Sequence, residues 1–178
     1  ARQGGSLVSL PGTASLALFG GSAPNRIDLQ DLWLLHGPTR TWSQITPGQS
    51  DPWPAARYLH SAVALSSDVM LVVGGRITTS PSPSLPPACF GDDAWAFVFS
   101  ADKWVFLGSD MVRAPTPDAP WPGARYGHST AVVPSVGVVL VGGFETGVMA
   151  RTAWTWDIVD VLPPSVEAAY SGGRSACD

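Results

Sequence analysis

Charge is scarce in this 178-residue chain: only 13% of residues are Asp, Glu, Lys or Arg. Lysine occurs once, at Lys103, and 10 bases face 14 acids for a net charge of −4. A nucleic-acid-binding face needs clustered bases, and the arginines here are scattered, so no nucleic-acid partner is expected. Cysteine is limited to Cys89 and Cys177, too few for a disulfide framework; one bridge or two free thiols both fit. The longest apolar runs, Val69–Val73 and Val138–Val141, fall far short of the roughly 20 residues of a membrane span. No signal-peptide pattern is read, and the lone Asn25 precedes Arg26 and Ile27 rather than forming a glycosylation sequon.

Glycine (19), proline (17) and tryptophan (8) are abundant instead, and 45% of residues are hydrophobic. A disordered chain carries more charge and fewer aromatics. A helical bundle does not tolerate Gly or Pro at that density. Many short strands joined by Gly/Pro turns are expected, an all-β fold.

The chain repeats itself. A diglycine follows a short apolar run three times, at Gly20-Gly21, Gly74-Gly75 and Gly142-Gly143. Upstream, Ala56-Arg57-Tyr58-Leu59-His60-Ser61 matches Ala124-Arg125-Tyr126-Gly127-His128-Ser129. Ala1-Arg2-Gln3-Gly4-Gly5-Ser6 takes the same register if one loop residue is deleted, with Gly5 at the His position. Downstream, Asp31-Leu32-Trp33 matches Asp93-Ala94-Trp95 and Thr152-Ala153-Trp154. A second tryptophan follows at Trp42 and Trp104, where the third copy has Pro163. Extra length in the second copy falls in two connections only, as surface loops between constant elements would give.

Each copy reads as four strands. In the second they are Ser61–Leu65, Val69–Val73, Ala94–Phe99 and Lys103–Leu107, with turns at Ser66-Ser67-Asp68 and Ser100-Ala101-Asp102. Val69–Val73 is apolar throughout, so both of its faces are expected to be buried. Trp95, Phe97 and Phe99 alternate with Ala94, Ala96 and Val98, which puts the large residues on one face. A sheet apolar on both faces needs neighbours, which stacked copies supply.

These residues, in this order and register, resemble the kelch repeat: Arg-x-x-His-Ser, an apolar strand, a second strand ending in Gly-Gly, then spaced tryptophans. The resemblance covers about 160 residues and implies one β-propeller blade per copy, a four-stranded antiparallel sheet whose first strand lines a central channel. The expected blades are 1–47, 53–109 (with a Pro-rich loop, 76–92) and 121–164, followed by a tail, 165–178. The third copy lacks its second tryptophan, so a short or irregular outer strand is expected there. Three blades do not close a ring of four to eight. Completion by missing chain, by a partner or by self-association is therefore expected.

The default reading of the motif residues is structural: the diglycines permit close approach, His60 and His128 bond within or between blades, and Trp33, Trp42, Trp95, Trp104 and Trp154 pack. The functional alternative concerns Arg2, Arg57 and Arg125. The resemblance implies that this position lies near one channel mouth, where some kelch domains use arginine to grip acidic peptide motifs through paired hydrogen bonds. A salt bridge or carbonyl bond between blades is the other reading.

Chemistry is otherwise thinly supported. His36, His60 and His128 are dispersed, the cysteines lack a Cys-x-x-Cys setting, and no metal or cofactor site is expected. Adjacent His and Ser on a strand point to opposite faces, which argues against a catalytic pair. Asp92-Asp93, just before a strand, together with Asp157 and Asp160, read as solvated carboxylates. Ser80-Pro81-Ser82-Pro83-Ser84 reads as an extended surface segment, either a stiff loop or one that docks a partner or carries hydroxyproline-linked glycans. A Cys89–Cys177 bridge would pin that loop to the tail and indicate an oxidising compartment. Trp53 and Trp121 are candidates for stacking on sugars, although both recur with the repeat.

The function expected is a non-catalytic protein-interaction or scaffold module, part of a larger protein or assembly. The alternatives are the non-catalytic portion of a kelch-propeller enzyme and an extracellular glycan-binding or glycoprotein module. The compartment is undetermined, with an extracellular setting slightly favoured.

Overall fold

The computed structural model describes residues 1–24, 27–46, 48, 51–77, 89–109, 122–145 and 148–156. Every regular element among them is a strand, and all pairing is antiparallel. The first sheet is a meander of β1 (Ser6–Ser9), β2 (Ser15–Ser22), β3 (Asp28–His36) and β4 (Thr41–Ile45). The second is formed by β5 (Arg57–Tyr58) and β6 (Ser61–Ala64), both paired with β7 (Val69–Ile77), then β8 (Cys89–Val98) and β9 (Lys103–Gly108). The third region divides into two small sheets. One holds β10 (Arg125–Tyr126), β13 (Phe144–Glu145) and β14 (Val148–Met149). The other holds β11 (Ser129–Val133), β12 (Gly137–Val141) and β15 (Ala153–Trp156). Among the described residues no strand pairs outside β15, and the outer strand expected near Pro163 lies outside them.

The apolar strand does not stop at its diglycine. In β2 and β7 it continues through Gly20-Gly21 and Gly74-Gly75, with a bulge that shifts the register between Phe19 and Gly21 and between Val73 and Gly75. Each bulge glycine has a positive φ, 61° at Gly20 and 58° at Gly74, which a side chain strongly disfavours.

Alternation then sorts the core. Val69–Val73 is buried throughout. Met70, Val72, Trp95, Phe97, Trp104 and Phe106 lie on one face of the second sheet and pack against Val8, Ala17, Phe19 and Leu32 of the first. On the opposite face Leu71, Val73 and Ala94 pack against Val138 and Leu140 of the third. Each seam thus joins an aromatic-rich front to a smaller aliphatic back. The hairpin turns of the second sheet are tied by Asp68, whose carboxylate accepts from the Ser100 amide at 2.7 Å and the Ser100 hydroxyl at 2.6 Å.

The inner-edge strands β1, β6 and β11 lie side by side. Just ahead of them the backbone links the units directly. Leu59 N–H donates to Gly4 O at 2.7 Å, and Gly127 N–H donates to Leu59 O at 2.8 Å. These three residues share one position of the repeat, and all have positive φ, including Leu59 at 54°.

Candidate functional site

The recurring arginines turn inward. Arg57 is 0% exposed and holds Asp93 through two parallel bonds, Nη1 to Oδ1 at 2.6 Å and Nη2 to Oδ2 at 2.8 Å. Nη1 also donates to Gly74 O at 3.0 Å and Nε to Ala55 O at 3.0 Å. On β8, Asp93 and Trp95 are two residues apart and share a face. Trp95 Nε1 donates to Asp93 Oδ2 at 2.7 Å. Each buried polar group therefore satisfies another: tryptophan to aspartate, aspartate to arginine, arginine to the diglycine carbonyl. Burial opposes ionisation of Asp93, but the charge and hydrogen bonds of Arg57 and the Trp95 N–H outweigh it and lower its pKa.

The first sheet repeats the arrangement nearer to solvent. Arg2 donates to Asp31 at 2.8 and 2.9 Å and to Gly20 O at 2.8 Å, and Trp33 Nε1 donates to Asp31 Oδ2 at 2.6 Å. The Asp31 pKa is lowered too, because the hydrogen bonds from Arg2 and Trp33 and the Arg2 charge outweigh burial. In the third unit Thr152 occupies the aspartate position. It accepts from Trp154 Nε1 and from Arg125 Nη1, both at 3.3 Å, while Glu145 on β13 supplies the counter-charge to Arg125.

Three expectations change here. The salt bridges and carbonyl bonds of these arginines lie within a unit rather than between units. Arg57 and Arg125 are 0% and 1% exposed, which leaves no open guanidinium for a peptide carboxylate. Asp92 and Asp93 lie inside β8 and are 4% and 1% exposed, not solvated in a loop.

The histidines occupy the seams. The His60 ring meets Phe19 edge-on, with centroids 5.4 Å apart. His60 Cε1 lies 3.0 Å from where a Cβ on Gly20 would stand, and His128 Cε1 has the same relation to Gly74. Burial, then the Arg57 charge, lowers the His60 pKa to about 3. Burial and Arg125 lower that of His128 to about 4. Both rings are thus neutral at pH 7, and both are withdrawn from solvent.

The surface carries a different chemistry. An open cleft of about 530 Å³ lies at the seam of the first two sheets, lined by Asp28, Leu29, Gln30, Asp31, Gln44, Ile45, Trp53 and Ala56. Trp53 Nε1 donates to Gln30 O at 2.6 Å, and its ring packs on Phe97 and Trp104. At the first sheet's front face Leu7 is 58% exposed and Trp42 45%. In the third unit Val141, Phe144, Val148 and Met149 are exposed. Cys89 is disulfide-bonded. Cys177, the Ser80–Ser84 segment, Trp121, Asp157, Asp160 and the tail lie outside the described residues.

Residues 1–154 match the model of the Attractin/LZTR1 beta-propeller, a span that includes the first two copies of the repeat and most of the third. The chain belongs to this family. Relatives include Acyl-CoA-binding domain-containing protein 5 of Arabidopsis thaliana, 29% identical over 170 residues, which cover 96% of this chain and 24% of that protein. Multiple epidermal growth factor-like domains protein 8 of Rattus norvegicus is 32% identical over 123 residues, covering 61% of this chain and 4% of that protein. The chain thus spans about a quarter or less of these relatives' length. The family's propeller architecture accounts for the repeated seams and for an arc of sheets that is open.

The repeat pattern includes Asp31 and Thr152 without marking them as partners of the arginines, and it leaves out Glu145. A signal was present: an acid stands two residues before the recurring tryptophan in two copies, and where it becomes Thr152 an acid appears at Glu145.

Proposed function

We propose that the chain is a protein-interaction or scaffold module built of kelch-type blades, working as part of a larger protein or assembly and without catalysis of its own. One observation carries this reading. Among the described residues each of the two seams matches an aromatic-rich front to an aliphatic back, yet the first sheet presents an uncovered front with Leu7 and Trp42, and the third an uncovered back with Val133 and Val141. Exposed apolar faces of this kind mark surfaces that protein covers. The repeated polar residues support the non-catalytic part of the reading. Asp93 and Arg57 are committed to each other, and His60 and His128 are neutral and packed in the seams, so none is free to exchange a proton with a substrate.

The disulfide at Cys89 favours an oxidising compartment, and with it an extracellular setting. A photo-crosslinker at Leu7 and another at Val141 of the native particle test the interaction reading. Stoichiometric crosslinks from both positions to protein, whether further blades, a second copy or another partner, are expected. A monomeric particle in which both positions stay solvent-labelled overturns it.

A further inference from the structure

We infer that the cleft between the first and second sheets binds a basic side chain, a guanidinium or ammonium group presented by a protein partner. The inference rests on the interaction reading above and gives it a recognition chemistry.

Two carboxylates line the cleft. Asp31 is committed to Arg2 and Trp33. Asp28 differs: its Oδ2 is buried and has no hydrogen-bond partner among the described residues. A carboxylate oxygen withdrawn from water without a donor is costly, and a cationic N–H is the donor that answers it most strongly. No Lys, Arg or His is among the lining residues to take that place.

The second element is Trp53. Its indole N–H is fixed by the Gln30 carbonyl and its ring is braced by Phe97 and Trp104, so the aromatic wall is preformed. An aromatic face beside a carboxylate suits a cation, which gains from both. Leu29, Ile45 and Ala56 supply apolar surface for the aliphatic stem of such a side chain, and Gln44 adds an amide at the rim. A sugar also stacks the C–H face of its ring on tryptophan and donates its hydroxyls to carboxylates. Arg2 already neutralises Asp31, so it is the unpaired Asp28 that favours a positively charged ligand over a neutral one.

Tri-arginine amide titrated calorimetrically into the full chain tests the inference, with tri-citrulline amide and cellohexaose as neutral probes. Saturable binding of tri-arginine amide is expected. Asp28→Asn, and separately 0.5 M salt, should each weaken it about five-fold or more. Gln44→Glu at the exposed rim should tighten it about three-fold, so the inference stays open to refutation even if Asp28→Asn folds poorly. The inference is overturned by no saturable binding, by equal binding of the citrulline peptide, by cellohexaose binding alone, or by indifference to Gln44→Glu. Failure here with crosslinked partners intact removes the cleft alone. Asp28-dependent binding by a native chain without partners removes the interaction reading alone.

Discussion

His60 lies so close to Gly20 that a Cβ on this glycine would stand 3.0 Å from Cε1 of the ring and 2.7 Å from the Arg57 carbonyl. The contact crosses the seam between two units, and His128 repeats it against Gly74. The carbonyl is backbone and has little room to move. Gly20→Ala therefore combines a positive φ with overpacking, and about 3 kcal/mol of destabilisation is expected. Gly12→Ala is the control: Gly12 has a similar φ of 72° but open space around it, so only the smaller conformational cost should appear. Urea unfolding of both variants measures the difference.

The same histidines set an acid limit. Their ordinary pKa is 6.5, and in the fold it is about 3 for His60 and about 4 for His128. The unfolded chain binds protons at each site below pH 6.5 while the folded chain stays neutral there. Stability is fully present above that value and declines as pH falls toward the folded pKa values. The slope approaches about 2.7 kcal/mol per pH unit when both sites contribute. The carboxylates with lowered pKa, Asp31 and Asp93, act at lower pH, so the window from 6.5 to 4.5 isolates the histidines. Urea midpoints across that window should fall steadily, and His60→Gln should flatten the curve.

The arginine–aspartate pairs differ in depth, which separates charge from burial. Asp93→Asn leaves Arg57 buried without its counter-charge, and a loss of about 3–5 kcal/mol is expected. Asp31→Asn perturbs a pair whose side chains are 24% and 21% exposed, and about 1 kcal/mol or less is expected. Equal losses for the two variants, measured by denaturant unfolding, would contradict the burial argument.

Leu59 stands at a position where the other copies have Gly4 and Gly127, and it shares their left-handed backbone, with φ at 54°. Leu59→Gly should leave the protein as stable as before or raise its stability by about 0.5–1 kcal/mol, because the strain relieved offsets the greater freedom of the unfolded chain. Leu59→Val should cost more than a usual surface substitution, since a β-branched residue fits this conformation worst. Thermal unfolding of the pair distinguishes the two directions.

Much of the fold was legible because it is carried by periodicity. The alternation of Trp95 and Phe97 with Ala94 and Ala96 already separates the two faces that meet different neighbours. The repeated diglycine and Arg-x-x-His-Ser frame reveal the units. What resisted reading was pairing at a distance. Arg57 and Asp93 are separated by a loop of variable length, so the acid looked like a strand-edge residue in solvent. The seam itself was equally hidden. His60 is near Gly20 only once two sheets stack, and Asp28 shares a cleft with Trp53 only because the first sheet hands the chain to the second there. The strained backbone of Leu59 had a trace in sequence, glycine at the same place in both other copies.

The amide relay from Gly127 to Leu59 to Gly4 joins successive units through main chain alone. A joint of this kind asks for a backbone shape, which glycine adopts freely and Leu59 adopts under strain. Duplicated units can then drift far apart in composition and still fit, since the join is inherited with the chain trace. The backbone groups of Gly4, Leu59 and Gly127 thus meet in one register although the residues around them differ from copy to copy.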